Sequence, residues 1–367
     1  MIVRNVRFEG FRNLHPGLWS PCEGVNILSG DNGQGKTNLL EACWLFTGAR
    51  SFRGAKDREM VAFDREEAAL SMAFFAAGRE QAADITIRQR RYVTLNGVKL
   101  PAAAHLAGHF CGVVFSPAHL SLIKDGPDSR RRFVDAAYCQ LRPGYVGTLT
   151  AFHKALEQRN ALLRQCAERG TFGTAEEELL TLWDDTLAAA GARVTAARQH
   201  YIRKLTPLAA DIYEGLSGGR ETLSLNWESP ALTPDADTAA IAENWRAILQ
   251  KARRADRAAG FTTTGPHRED LTVTVQGVPA RVYGSQGQQR SAVLALKLAE
   301  ATVLQEITGE PPVAFLDDVM SELDVSRQDY ILNHIRDWQV FITCCEPSAA
   351  LRMTAGKVFG ISGGVLQ

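Results

Sequence analysis

A glycine-rich segment near the start of the chain has the residue types that bind phosphate. Residues 30–37 read Gly-Asp-Asn-Gly-Gln-Gly-Lys-Thr, between an apolar segment and a helical pattern. Glycines let the backbone turn its N–H groups towards phosphate oxygens, at the positive end of the next helix. Lys36 is expected to reach the β- and γ-phosphates of ATP, and the Thr37 hydroxyl to ligate Mg²⁺. The predicted nucleotide contacts here are Gly30, Asp31, Asn32, Gly33, Gln34, Gly35, Lys36, Thr37 and Asn38.

Two adjacent acids follow an apolar segment in the last third of the chain. Residues 313–318 read Val-Ala-Phe-Leu-Asp-Asp. Ligands of parallel sheets bind at the carboxyl ends of the strands, so Asp317 is expected to hold Mg²⁺ and Asp318 to orient or deprotonate the attacking water. Alone, such a pair often only solvates the end of a strand. Together with the phosphate-binding segment it predicts ATP hydrolysis, with Lys36, Asp317 and Asp318 as catalytic residues and ATP and Mg²⁺ as cofactors.

A second helix start offers another anion site. Residues 283–290 read Tyr-Gly-Ser-Gln-Gly-Gln-Gln-Arg, and Ser285 has the chemistry of a helix N-cap. By itself this indicates only a capped helix. The order of phosphate loop, capped helix, acidic strand and then Ser-Glu-Leu-Asp at 321–324 is that of ABC-type ATPases, in which this serine contacts the γ-phosphate bound by a second subunit. It predicts an ATP-dependent homodimer with Ser285, Gly287 and Gln288 as nucleotide contacts. The segment 321–324 is expected to cross the dimer interface, or else Ser321 or Asp324 merely caps the next helix.

Hydrophobic periodicity indicates the elements that must position these residues. Strand patterns lie at 2–11, 24–28, 69–75, 85–88, 92–95, 111–115, 271–275, 280–283, 313–316 and 340–344, and helical patterns at 36–46, 128–141, 145–168, 176–216, 241–257, 287–305 and 327–336. The expected fold is an α/β, ABC-type P-loop ATPase head, with a mixed sheet around the P-loop helix and an inserted, mainly helical lobe. The sequence lacks the sustained heptad repeats that would indicate a long coiled coil. We place the head at 1–115 plus 258–367 and the helical lobe at 116–257.

Composition limits the possible partners. The 367 residues include 41 Lys and Arg and 41 Asp and Glu, so any attraction to nucleic acid must come from local basic clusters. The seven cysteines have no zinc-ligand spacing and are expected to be reduced thiols. No apolar run approaches the roughly 18 residues of a membrane span, and the N-terminus lacks an apolar signal core. A cytoplasmic location is expected.

Many segments resemble the RecF family of bacterial DNA-repair ATPases. The similarity covers nearly the whole chain, and two segments are specific to that family: Gly-Pro-His-Arg at 265–268 and Gly-Ser-Gln-Gly-Gln-Gln-Arg at 284–290. Further matching segments lie at 11–13, 30–38, 51–53, 115–117, 126–135, 296–300, 316–324 and 339–343.

The resemblance implies an SMC-like head that dimerises on ATP, clamps duplex DNA, and releases it after slow, DNA-stimulated ATP hydrolysis. It also implies action at gapped or single-stranded DNA with RecO and RecR as partners, promoting the loading of RecA. Arg12 and Asn13 then become nucleotide contacts.

The chain departs from this pattern at two places. Ala118 and His119 follow Phe-Ser-Pro where the family usually has acids, so no role in sensing Mg²⁺ or the γ-phosphate is carried over to this loop. Thr343 ends the last strand where many ABC ATPases have a switch histidine. Its hydroxyl is expected to donate to the γ-phosphate. His267 and Arg268 contact nucleotide or the partner subunit, or His267 only satisfies a turn.

Clusters of basic residues are candidate contacts for DNA phosphates, although each can equally be a solvated face. No single-strand platform with interleaved aromatic residues is visible, so contacts with the backbone of duplex DNA are favoured. The principal candidates are Arg130, Arg131, Arg132, Lys251, Arg253 and Arg254, and the others are Arg88, Arg90, Arg91, Arg203, Lys204 and Arg257.

Two other functions remain open. The chain has the motifs of a transporter's nucleotide-binding subunit, but it lacks the switch histidine and has a Gln-Gln-Arg signature ending. The second alternative is a scaffold that uses ATP only to dimerise. Turnover by an Asp318→Asn variant distinguishes that scaffold from an ATPase.

Overall fold

The structure is a computed structural model that describes residues 1–347 and 355–367. Its strands, in chain order, are β1 (Ile2–Glu9), β2 (Gly17–Trp19), β3 (Val25–Ser29), β4 (Ala68–Ala76), β5 (Arg79–Ile87), β6 (Arg91–Leu95), β7 (Val98–Lys99), β8 (Gly112–Phe115), β9 (Leu223–Glu228), β10 (Asp270–Val275), β11 (Val278–Pro279), β12 (Val313–Leu316), β13 (Val340–Cys344), β14 (Lys357–Ser362) and β15 (Val365–Leu366). Its α-helices are α1 (Lys36–Trp44), α2 (Pro117–Leu120), α3 (Pro127–Leu141), α4 (Tyr145–Arg169), α5 (Thr174–Ser217), α6 (Thr238–Ala259), α7 (Ala280–Tyr283), α8 (Gln286–Thr308) and α9 (Val325–His334).

The central sheet combines strands from both ends of the chain. Its six strands lie in the order β15-β14-β3-β13-β12-β8, and all neighbours except β15 and β14 are parallel. Every residue of β12 is buried, as expected for a parallel strand covered on both faces. The strands predicted at 313–316 and 340–344 are confirmed residue for residue. The carboxyl ends of β3, β12 and β13 therefore meet at one edge, next to the start of α1.

A second sheet of six strands, in the order β2-β1-β4-β5-β6-β7, is antiparallel. Asn96 and Gly97, which both have positive φ, form the tight turn between β6 and β7. Gln339 joins the two sheets: its buried side chain accepts a hydrogen bond from the Val3 N–H at 2.7 Å and donates to the carbonyls of Val3 and Cys22.

The third sheet has the strand order β11-β10-β9. It pairs β9, which follows α5, with β10, which precedes α8. One prediction is wrong here: 280–283 is a helical turn, not a strand, because the edge strand β11 ends at Pro279. The helix α5 has 44 residues and spans about 66 Å. Its second half packs into the same hydrophobic core as the head, through residues such as Leu205 and Tyr213. The division into a head and a lobe at 116–257 stays a prediction.

Helices α4, α5 and α6 pack together around a smaller core that contains Phe152, Leu187 and Trp245. Within residues 1–347 and 355–367, none of the helices combines the length and the apolar composition that a membrane span requires.

Candidate nucleotide site

Two glycines, Gly30 and Gly35, have the positive φ angles that shape the phosphate loop. Gly30 has φ 154°, and a Cβ there would lie 2.2 Å from the Ile361 carbonyl oxygen in β14. Gly35, with φ 116°, immediately precedes α1. The Lys36 side chain folds back over this loop: Nζ donates to the carbonyl oxygens of Gly30 at 2.5 Å and Asp31 at 3.1 Å. The predicted loop between a strand and a helix N-terminus is therefore present, with Lys36 at its centre.

Two threonines and two acids meet at the carboxyl ends of the central strands. Thr37 Oγ1 donates to Asp317 Oδ1 at 2.7 Å. Thr343 Oγ1 lies 3.1 Å from Asp317 Oδ1 and 3.2 Å from Asp318 Oδ1, and it accepts the Asp318 N–H at 2.8 Å. Asp318 has φ 50°, a conformation that costs a residue with a side chain about 1 kcal/mol. Thr343 is therefore directed at the two acids, and its direct contact with nucleotide stays a prediction.

This donor set fits Mg²⁺ bound to a triphosphate. One hydroxyl and one carboxylate are the few protein ligands that Mg²⁺ takes when phosphates and water complete its shell. Burial raises the pKa of Asp317, although the hydrogen bond from Thr37 acts in the other direction. A cation beside this carboxylate would favour its charged form. Thr37 and Asp317 are the residues that would hold Mg²⁺.

A buried glutamate organises the residues that flank the phosphate loop. The Arg12 guanidinium forms a bidentate ion pair with Glu41 on α1, at 2.9 and 3.0 Å. Ser51 also donates to Glu41, which is fully buried. Arg12 is thus held beside α1 by a charge-assisted pair.

The neighbouring asparagines form a chain of hydrogen bonds. Asn38 donates to Asn13 at 2.7 Å, Asn13 donates to the Gly33 carbonyl oxygen at 3.1 Å, and Arg53 donates to Asn38 at 2.7 Å. Asn13 and Asn38 therefore lie next to the phosphate loop, and their contacts with nucleotide stay predictions.

Ser285 caps the helix α8 through reciprocal hydrogen bonds. Its Oγ accepts the Gln288 N–H at 3.2 Å, and its own N–H donates to Gln288 Oε1 at 2.8 Å. This is a capping box, and it leaves the Ser285 hydroxyl proton available to another acceptor. Ser285 is exposed, and Gly287 beside it adds no side chain over the helix end.

The segment 321–324 is tied to the same helix. Arg290 of α8 donates to the Glu322 carbonyl oxygen at 2.8 Å, and Arg327 of α9 donates to Ser291 at 2.9 Å. Asp324 caps α9, and Ser321 donates to the Asp318 carbonyl oxygen. Within the described residues, no hydrogen bond or ion pair joins Ser285 to the phosphate loop.

Known proteins resemble the chain over its whole length. The sequence model of the family described as RecF/RecN/SMC N terminal domain matches residues 2–363. The DNA replication and repair protein RecF of Agathobacter rectalis is 38% identical over 371 residues, which cover 100% of this chain and 99% of that protein. RecF of Heliobacterium modesticaldum is 39% identical over 373 residues, with 100% and 99% covered.

The chain belongs to the RecF family. A solved structure described as the recombination mediator protein RecF-ATP in the RecFOR pathway has 36% identity and a TM-score of 0.92, and covers 100% of this chain and 97% of that one. The Smc head domain of Pyrococcus furiosus, at 13% identity and a TM-score of 0.55, shares the fold. The predicted ABC-type ATPase head is confirmed, and the RecF family match favours a repair ATPase over a transporter subunit.

In this RecF family member, half of the principal DNA candidates are engaged in ion pairs. Arg130 is buried: it forms a bidentate ion pair with Asp270 and donates to three backbone carbonyls, so it has no free face for a DNA phosphate. Arg131 pairs with Asp128, and Arg253 pairs with Asp184 at 2.7 Å. The remaining three, Arg132, Lys251 and Arg254, have exposed side chains.

Two histidines that the sequence singled out, His267 and His119, are partly buried. His267 Nε2 lies 3.1 Å from the Thr262 carbonyl oxygen, and burial lowers the pKa of His267 to about 4. His267 therefore satisfies a turn. Burial and the charge of Lys297 lower the pKa of His119 to about 3, so this histidine is neutral near pH 7.

Three residues that contribute to the site were not singled out from the sequence. Glu41 carries the ion pair with Arg12, Glu221 accepts a hydrogen bond from Gln288 at 2.8 Å, and Cys345 Sγ lies 3.8 Å from Lys36 Nζ. The acidic residue on the P-loop helix was the one available signal. The other two depend on contacts between residues far apart in the chain.

Proposed function

We propose that this protein is an ATP-dependent DNA-binding protein of replication and recombinational repair, in which ATP closes two copies of the chain around duplex DNA. The relatives named DNA replication and repair protein RecF support this assignment. The observation that carries it is the exposed helix cap at Ser285, which within the described residues makes no hydrogen bond to the phosphate loop of its own chain. A second copy can bring these two groups to the same triphosphate.

The phosphate loop would hold the nucleotide on one side. Its N–H groups and Lys36 neutralise charge on the β- and γ-phosphates. Thr37 and Asp317 would hold Mg²⁺, which would supply further neutralisation of charge during phosphoryl transfer. Asp318, positioned by Thr343, orients the attacking water and accepts its proton. Release of phosphate then removes the charge that Ser285 contacts.

The second copy would add the amino end of α8 to the γ-phosphate. The Ser285 hydroxyl donates its free proton, and the partial positive charge of the helix start favours an anion there. Because ADP lacks this phosphate, only ATP gives the closed dimer its extra binding free energy. That difference in affinity between two states is what a nucleotide switch requires.

DNA is expected to contact exposed cations on the closed dimer. Arg132, Lys251 and Arg254 remain candidates because their side chains are exposed. Contacts of this kind bind the phosphate backbone and give no direct base-sequence specificity. The described role of RecF-ATP in the RecFOR pathway supports RecO and RecR as partners, with loading of RecA at gaps as the outcome and hydrolysis as the release step.

Sedimentation velocity with ATP and Mg²⁺ tests the dimer. We expect Ser285→Arg to bind ATP like the wild type and to remain monomeric, because the larger cationic side chain obstructs the helix end. Gln305→Arg is the matched control: it adds the same charge at an exposed position near the other end of α8. Equal dimerisation of wild type and Ser285→Arg would remove the argument for a shared site.

Turnover of Asp318→Asn distinguishes an ATPase from an ATP-switched scaffold. The amide cannot accept a proton, so we expect a fall in kcat of about 100-fold or more with ATP-dependent dimerisation retained. Lys36→Arg is the comparison variant that weakens nucleotide binding itself. Unchanged turnover in Asp318→Asn, with binding lost in Lys36→Arg, would support the scaffold.

A further inference from the structure

The carboxylate of Glu221 joins the long helix α5 to the helix that Ser285 caps. Glu221 lies between α5 and β9. One of its oxygens accepts the Tyr213 hydroxyl of α5 at 2.7 Å, and the other accepts Gln288 Nε2 at 2.8 Å. Burial and the contact with Glu221 raise the pKa of Tyr213, so this phenol remains a donor at neutral pH. The Tyr213 hydroxyl is therefore the donor in its hydrogen bond with Glu221.

This contact determines which way the Gln288 amide points. An ionised carboxylate only accepts hydrogen bonds, so the NH₂ group of Gln288 must face Glu221. Its Oε1 then faces the Ser285 N–H, at 2.8 Å. If the amide rotated by half a turn, two donors would face each other and the capping box would open. Glu221 therefore stabilises the one amide orientation that closes the cap.

Closure of the cap directs the Ser285 hydroxyl. Its oxygen accepts the Gln288 N–H at 3.2 Å, which leaves one proton to donate. Ser285, Gln288 and Glu221 line an open cavity of about 420 Å³, together with Arg220 and Arg327. The hydroxyl is thus held at the rim of a polar cavity and next to the start of α8.

We propose that Glu221 is a positioning residue: it holds Gln288 and Ser285 ready for the γ-phosphate bound by a partner copy, and it couples α5 to that contact. The inference rests on the proposed ATP-dependent dimer. Because α5 is 44 residues long and also packs against α4 and α6, a shift of this helix is transmitted through Tyr213 and Glu221 to the cap. The coupling requires no contact between Glu221 and the nucleotide.

The test compares Glu221→Gln with Glu214→Gln by sedimentation equilibrium over a range of ATP concentrations. The Gln side chain keeps the shape of Glu221 but offers an NH₂ group as well as an oxygen, so it no longer fixes the Gln288 amide. Glu214 is exposed, lies on the last turn of α5, and provides the matched loss of charge. We expect ATP-dependent dimerisation of Glu221→Gln to weaken by about tenfold or more, because a smaller fraction of molecules then holds the cap closed, and Glu214→Gln to match the wild type.

Two further measurements separate positioning from general structure. ATP affinity of the monomer and the midpoint of thermal unfolding should remain close to wild type in Glu221→Gln, because Lys36 and its loop are untouched. Tyr213→Phe, which removes only the hydroxyl, should weaken dimerisation in the same direction. If Glu221→Gln loses ATP affinity or stability to the same degree as dimerisation, a positioning role is excluded.

Ser285→Arg in the same experiment distinguishes failure of the proposed shared site from failure of the proposed role of Glu221. If both Ser285→Arg and Glu221→Gln dimerise like the wild type, the shared site itself is wrong. If Ser285→Arg stays monomeric while Glu221→Gln dimerises normally, only the role of Glu221 is wrong.

Discussion

The hydroxyl of Thr343 accepts the backbone N–H of Asp318 at 2.8 Å, across the ends of two neighbouring parallel strands. The same hydroxyl lies within hydrogen-bond distance of the carboxylates of Asp317 and Asp318. Thr343 is buried, and Asp318 has a positive φ that this contact helps to hold. A threonine in the place of a switch histidine thus positions the proposed catalytic acid through its backbone.

Thr343→Val should separate catalysis from nucleotide binding. Valine keeps the shape of threonine but removes the hydroxyl, which leaves the Asp318 N–H without its partner at a cost of about 1–3 kcal/mol in stability. We expect kcat to fall about tenfold with little change in ATP affinity, because the Lys36 loop is intact. Urea unfolding and steady-state ATPase assays measure both quantities. Thr343→Ser keeps the hydroxyl and is expected to retain turnover; wild-type turnover in Thr343→Val would contradict the role of this hydrogen bond.

The buried carboxyl of Asp317 should make stability depend on pH when nucleotide and Mg²⁺ are absent. Burial is the main reason that its folded-state pKa lies above the unfolded value, so the folded state binds more protons between these two pKa values. Stability contributed by the protonated form is therefore present below the unfolded pKa of about 3.9 and lost as pH rises through the folded pKa. As the pH rises from the unfolded pKa of Asp317 to its folded pKa, the wild type should lose stability relative to Asp317→Asn.

At neutral pH, Asp317→Asn should consequently be more stable than the wild type without Mg²⁺, and the difference should shrink on acidification. Urea unfolding of both proteins from pH 4 to pH 8 measures the difference, and the variant serves as the control for all other titrating groups. A difference that stays constant with pH would show that the Asp317 charge is not costly in the folded state.

Local chemistry explains why much of the site could be predicted. A phosphate loop needs glycines at a strand–helix junction, and fully buried parallel strands are short apolar runs, so both are visible over a few residues. The strands that carry Asp317 and Thr343 were predicted to the residue. The segment at 280–283 was misread because its alternating residues resemble a strand, whereas Pro279 ends the edge pairing.

Contacts between distant residues explain what could not be predicted. Arg130 and Arg132 belong to one run of arginines and look equivalent in the sequence. Only the fold places Asp270, 140 residues away, against Arg130 and leaves Arg132 exposed. In the same way, the bond between Glu221 and Gln288 joins residues that are 67 positions apart. No periodicity or short motif reports such a pair.

Arg130→Ala should therefore lower the stability of the protein, whereas Arg132→Ala should affect DNA binding. Removal of Arg130 leaves Asp270 and several carbonyls without their partner, and we expect a loss of about 3–5 kcal/mol in the free energy of unfolding. Removal of the exposed Arg132 should change stability little. If Arg132 contacts a DNA phosphate, its loss should weaken binding to all duplex sequences and reduce the slope of log affinity against log salt by about 0.9.

Denaturant unfolding and fluorescence anisotropy at several salt concentrations measure these effects. Arg254→Ala is a second exposed variant that tests the other predicted cluster. An unchanged salt slope in Arg132→Ala would remove this residue from the DNA surface, and an unchanged stability in Arg130→Ala would show that its ion pair is dispensable.

Cys345 should report nucleotide binding through its alkylation rate. It is the one exposed thiol among the seven cysteines, and its Sγ lies 3.3 Å from Asn32 Oδ1 in the phosphate loop and 3.8 Å from Lys36 Nζ. The others are less accessible, and burial raises the pKa of Cys43, Cys111 and Cys139 to about 12.

N-ethylmaleimide should therefore modify Cys345 first, and the adduct should block ATP binding because it occupies space beside Lys36. Bound ATP should slow the modification, whereas Cys345→Ser should lose the fast phase and bind ATP after the same treatment. Equal alkylation rates with and without saturating ATP would place the triphosphate away from Lys36 and Asn32.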